Sequence, residues 1–168
     1  MTLTSQNQGV PMLTVRRLHI EDARLITRVA VRRSEEIGVP MCIAVVDESG
    51  VLVSFERMDG AKVTSVSIAI DKAFTAAGAR NDTAFYGDES NPNSPTWRIN
   101  GSNGGRFSTI GGGVPVAIDG SVVGGIGISS GSALQDVEVA KAALEGFLSE
   151  ADRPRTGGNH RPPSSTAK

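Results

Sequence analysis

Between Gly101 and Gly131 the chain reads GSNGGRFSTIGGGVPVAIDGSVVGGIGISSG, a run holding eleven of the 20 glycines in 168 residues. Apolar and polar positions still alternate through it as in a half-buried strand. Glycine weakens a strand, because it gives up the most backbone entropy and brings no side chain to pack. A glycine-rich segment that still reads as strand is expected where a ligand or another chain comes unusually close, or where the strand bulges. Within the run, Asp119-Gly120 separates Val114–Ile118 from Ser121–Ile128. That dipeptide is the two-residue signal of a type I′ hairpin and makes the flanking strands antiparallel neighbours.

The other elements follow from period and punctuation. From Ile20 to Ile37, the residues Ala23, Ile26, Val29, Ala30 and Ile37 form a helical apolar stripe that Gly38-Val39-Pro40 ends. Met41–Asp47 is too continuously apolar for a strand with one face in water; Glu48-Ser49-Gly50 turns the chain, and Val51–Arg57 returns as its antiparallel partner. Ser65–Ala79 reads as a helix whose Ala69, Ala73, Ala76 and Ala77 permit close approach to a sheet or a twin helix. Asn81–Ser102 is a long polar segment, and Ser132 with Gln135 forms a capping box opening a last helix over Ala133–Leu148. The hairpins and the lack of a βαβ alternation predict an α+β domain, with helices packed on an antiparallel sheet.

Charge and cysteine content narrow the function classes. The net charge of −1 gives no reason to expect nucleic-acid or membrane partners, and the single Cys42 excludes an internal disulfide or a cysteine-held metal cluster. With no apolar run of spanning length and a polar beginning, the expected location is cytoplasmic. Residues 1–12 and 151–168 lack apolar periodicity and are expected to be flexible tails around one domain over 13–150.

Candidate chemistry gathers at turns and glycines. Gly127-Ile128-Ser129-Ser130-Gly131 matches the G-x-S-x-G pattern, but the only later histidine is His160 in the C-terminal tail, so Ser129 reads as a turn residue. His19 stands where the first helix begins, either as a surface helix-start residue or as an axial ligand for a haem or corrinoid metal. Met12, Met58 and Tyr86 are weaker ligand candidates, and Cys42 reads as a small core residue. Asp47, Asp71 and Lys72 are candidates for acid–base chemistry, with Arg57 and Asp59 near the second turn. Asn103, Gly104, Gly105 and Arg106, with Gly111, Gly112 and Gly113 beyond them, offer exposed N–H donors and a guanidinium fork for an anionic ligand such as a haem propionate or a small acid. The competing account makes Asp71, Lys72 and Arg106 ordinary ion pairs between helix and sheet, or between subunits.

The strings IAVVDESGVLVSFERMDGA (43–61), SIAIDKAFTAA (67–77), SNGGRF (102–107) and GGGVPVAIDGSVVGGIGISSGSALQDVEVAKAAL (111–144) resemble the GlcG/HbpS-like family, which also includes the C-terminal domain of PduO-type proteins. The resemblance runs from about His19 to Leu148. It implies a profilin-like or roadblock-like single domain and a homo-oligomer, from dimer to octamer. It also implies haem or a related tetrapyrrole as ligand, with haem degradation in some members. A catabolic small-molecule enzyme acting by proton transfer on an organic acid, and a non-catalytic accessory or assembly module, stand beside that reading. Where family members begin the first helix with a Thr-Leu-Glu-Asp-like string, this chain has His19-Ile20-Glu21-Asp22.

Overall fold

His19 caps the first helix, its Nδ1 accepting from Glu21 N while the Asp22 carboxylate accepts from His19 N. In the computed structural model, which describes residues 13–88 and 91–151, this helix is α1 (Ile20–Glu36). It is followed by β1 (Cys42–Asp47), β2 (Leu52–Arg57), α2 (Ser65–Ala79), β3 (Gly113–Ile118), β4 (Ser121–Ser129) and α3 (Ala133–Ala151). The expected tails lie outside the described residues, apart from Ala151 at the end of α3. Short 3-10 turns at Thr83–Tyr86, Ile99–Gly101 and Asn103–Gly105 punctuate the segment between α2 and β3. Among the described residues, no helix is long and apolar enough to cross a membrane.

The four strands form one antiparallel sheet in the order β2-β1-β4-β3. Asp119 and Gly120 both take positive φ, 50° and 74°, as the type I′ turn requires. Ser132 and Gln135 close the expected capping box, each side chain accepting from the other's backbone N–H. The α+β class expected from the hairpins is the observed one.

Because β1 is central, helices cover both of its faces. Ile43 and Val45 pack with Ile126, Ile128, Val114 and Val116 beneath α1 and α3. Cys42, Ala44 and Val46 point the other way, into a smaller core with Ala69, Ala73 and Ala77 of α2. On that second face β3 and β4 present glycine where α2 comes closest. A Cβ on Gly127 would stand 2.0 Å from the Ala69 carbonyl oxygen, one on Gly125 2.4 Å from that of Ala73, and one on Gly113 2.5 Å from that of Lys72. The glycines therefore seat the backbone of α2, and the close approach anticipated from the glycine run is made by the chain's own helix. On the α1 face, Gly124 gives room to Leu18 in the same way.

This seating predicts a sharp asymmetry between glycines. Gly127→Ala must push α2 off the sheet and should cost about 2–3 kcal/mol, the upper part of the overpacking range. Gly101→Ala, whose Cβ meets nothing within 4 Å, should stay within about 0.5 kcal/mol of the parent. Urea denaturation of the two variants checks the contrast; equal midpoints would contradict it.

Candidate functional site

With its inner side committed to alanines, α2 presents Asp71, Phe74, Thr75 and Gly78 on another side, at spacings of i, i+3, i+4 and i+7. Thr75 ties the chain that precedes β3 to this side. Its hydroxyl accepts from Ser108 N at 2.8 Å and lies 3.2 Å from the carbonyl oxygen of Arg106, to which it can donate. Arg106 is thereby laid along the helix, its Nε donating to Asp71 Oδ1 at 2.9 Å and its guanidinium carbon 4.0 Å from the centre of the Phe74 ring. Phe107 meets Tyr86 edge to face at 5.0 Å, and Tyr86 meets Phe85 likewise at 5.1 Å.

Between these groups lies an open groove of about 200 Å³, lined by Phe74, Thr75, Gly78, Ala79, Asn103 and Phe107. Its walls combine aromatic faces with the Asn103 amide, and Arg106 stacks on the same Phe74 ring that lines it. Asn103, Gly104 and Gly105 all have positive φ, which folds the turn at its edge. A flat apolar ligand carrying an anionic group suits such a surface.

Lys72 follows Asp71 directly and has a different fate. Its side chain is 1% exposed, and Nζ donates to Asp136 Oδ2 at 2.7 Å and to the Ile128 carbonyl at 2.9 Å. Burial pushes the ammonium pKa down, and the Asp136 carboxylate partly opposes that shift. Asp136 also accepts from Gly131 N, so one ion pair joins α2, the end of β4 and the start of α3. Gly112 makes room for it: a Cβ there would meet Lys72 Nζ at 3.0 Å and Asp136 Cβ at 2.7 Å. Gly111 and Gly113 are buried beside it, against Val137 and Thr83 respectively.

The remaining candidates lie elsewhere. Asp47 is buried at the end of β1, where Oδ1 accepts from Ser49 N and Val51 N and shapes the turn into β2. Arg57 and Asp59 are exposed, and the Met58 sulfur accepts from Met41 N. Ser129 is the last residue of β4 and is 4% exposed, while the neighbouring Ser130 hydroxyl accepts from Lys62 N. Met12 lies outside the described residues. His19 belongs to the α1 side of the sheet, next to a second groove of about 200 Å³ whose lining includes Arg16, Leu18, Asp22 and Phe147. Beside that groove, Arg17 grips Glu48 through two hydrogen bonds of 2.8 and 2.6 Å and lies 3.6 Å from Asp47.

The structure therefore joins Asp71 to the Asn103–Arg106 turn, gathers Lys72 with Gly111–Gly113 in a separate buried place, and sets Asp47 and His19 apart from both. Phe74, Thr75, Phe107 and Asp136 were not singled out from sequence. The first two could have been, from the stripe they share with Asp71. Asp136 could not, because 64 residues separate it from Lys72.

A four-stranded antiparallel sheet held between one alanine-rich helix and a helix pair, with an aromatic groove along the outer side of the single helix, defines a small α+β sandwich domain. The chain belongs to the HbpS-like family: the family model described as haem degrading protein HbpS-like matches residues 18–145. It is 35% identical over 125 residues to an uncharacterised 15.0 kDa protein of the dhaT-dhaS intergenic region of Citrobacter freundii, covering 74% of this chain and 88% of that one. It is 33% identical to the corrinoid adenosyltransferase PduO of Salmonella typhimurium over 76% of this chain, but spans only 38% of that protein's length. Among solved structures, PduOC in complex with haem superposes with a TM-score of 0.74 at 32% identity, covering 77% of this chain and 94% of that one.

Two measurements test the electrostatics described here. Lys72→Met leaves the Asp136 carboxylate buried and unpaired and should cost about 3–5 kcal/mol, whereas Lys72→Met with Asp136→Leu should recover most of that loss. Urea melts decide it; an equally damaged double variant would show that the pair is needed for itself. The Arg17 hydrogen bonds hold the Glu48 carboxyl at about 2, below its ordinary 4.5. The unfolded chain then binds the extra proton, so this contribution is present above pH 4.5 and fades as pH falls toward 2. Melting temperatures of Glu48→Gln across that window should lack this part of the acid loss seen in the parent.

Proposed function

We propose that this protein binds haem or a closely related tetrapyrrole along the outer side of α2. The carrying observation is the Arg106 guanidinium stacked at 4.0 Å on Phe74, which in turn lines a groove together with Phe107. Phe74 and Phe107 would hold the apolar ring and Arg106 a propionate, with Asn103 as a further polar partner. Family membership and the haem complex of the PduOC relative support this choice of ligand. Haem, when bound, supplies a redox-active iron; the chain's own residues supply an apolar wall and a fixed cation.

At about 200 Å³ the groove is smaller than the roughly 300–1,000 Å³ of sites that enclose a drug-sized ligand. It holds one edge of a tetrapyrrole, and the remainder would lie against solvent or a second copy, consistent with the homo-oligomer that the family resemblance implies. His19 is not required by this placement. Its Nδ1 accepts from Glu21 N, so ligation through Nε2 would need the proton on Nδ1 and would break the cap.

No specific observation favours the proton-transfer enzyme. Asp47 is engaged by its turn, Asp71 by Arg106 and Lys72 by Asp136.

Hemin titration followed by the Soret band tests the proposal. The parent should show a saturable shift, with Arg106→Ala and Phe74→Ala each binding about tenfold more weakly, the first through loss of a charge-assisted contact and the second through loss of an aromatic one. His19→Ala should bind like the parent. An absent Soret shift in the parent overturns haem binding. A shift lost in His19→Ala and kept in Arg106→Ala overturns the α2 placement in favour of the groove beside His19.

A further inference from the structure

We propose that Asp71 is a specificity-determining residue of the α2 groove, a built-in rival anion that a ligand's free carboxylate must displace from Arg106. This rests on the tetrapyrrole reading above and deepens it. Two ion pairs start from adjacent residues of α2, and their exposure separates their roles. Lys72 and Asp136 are 1% and 4% exposed and closed in by β4 and α3, so nothing from solvent can exchange with either. Arg106 and Asp71 are 43% and 29% exposed, the range in which an ion pair is weak and exchangeable.

The geometry suits exchange in three respects. Phe74 supports the guanidinium plane from one side at 4.0 Å, and Thr75 holds the backbone of Arg106 and Ser108 to the helix. The fork therefore keeps its place when its carboxylate partner changes. Asp71 uses Nε, whereas a guanidinium has five N–H donors and can receive a carboxylate bidentately. Asp71 is partly exposed, so the displaced carboxylate turns to water without becoming a buried, unpaired charge.

The consequence is selective. While Asp71 and Arg106 are paired, each offsets the other's charge, and a flat apolar ligand without a carboxylate has nothing to displace. A ligand with a free carboxylate gains the fork and works against Asp71. Removing the Asp71 charge should therefore strengthen binding of the free acid and leave its ester unchanged.

The test compares hemin with hemin dimethyl ester, titrated by the Soret band in one solvent mixture, for the parent and Asp71→Asn. Asparagine keeps an acceptor for Nε and removes only the charge. Hemin should bind Asp71→Asn about two- to fivefold more tightly than the parent, the range expected for an exposed ion pair, with ester affinity unchanged. Asp71→Ser provides the same comparison if the asparagine variant does not fold, and Asp71→Glu should retain parental selectivity. If the parent binds neither ligand, haem binding itself fails. If the parent binds hemin but the Asp71 variants bind both ligands more weakly, or gain equally for both, Asp71 is a structural latch and the present proposal alone fails.

Discussion

The structure depends on one contact, the backbone of α2 lying on a sheet face where β3 and β4 present glycine at its points of closest approach. Carbonyl oxygens of Ala69, Lys72 and Ala73 occupy space that a Cβ on Gly127, Gly113 or Gly125 would need. Each such glycine lowers the intrinsic stability of its strand, and dense packing of a whole helix offsets that cost. The arrangement also sets the register. Gly113 pairs with Gly127, and Gly127 pairs with Ala44, so the thin part of the sheet crosses three strands. A slip of one residue would turn Ile126 and Ile128 against the helix backbone.

From that contact follows the division of labour around α2. The alanines and Lys72 face inward, and the lysine reaches past the strands to Asp136 of α3 because Gly112 leaves room. Asp71, Phe74, Thr75 and Gly78 face the chain that leads into β3, and Thr75 fastens Arg106 to Ser108 along them. Two neighbouring charged residues thus enter unlike environments, one dry and closed, the other wet and exchangeable. The first links helix to sheet; the second holds Arg106 on the Phe74 ring that lines the groove.

Features governed by local physics were legible in the sequence. Asp119-Gly120, the Ser132–Gln135 box and the alternating strand pairs each depend on a few adjacent residues, and all appear as expected. The purpose of the glycines was only half legible. Their number signalled close approach, but what approaches is set by how α2 folds back over β4, information spread over more than fifty residues. Asp47 is a candidate for acid–base chemistry in the sequence because its turn-shaping bonds to Ser49 and Val51 leave no mark there beyond the acid itself. The pairing of Asp71 with Arg106, and not of Lys72 with a nearby acid, depended on which side of the helix each occupies. The helical period predicts those sides once the alanines are taken as the inner face.

If the ligand lies along the outer side of α2, a paramagnetic ligand must mark that side. Amide spectra of the 15N-labelled protein, recorded as ferric hemin is added, test this most directly. The account predicts broadening centred on Phe74, Gly78, Asn103 and Phe107, with the amides of Leu18, His19 and Phe147 retained. Broadening centred on Leu18, His19 and Phe147, with the α2 amides intact, would contradict it.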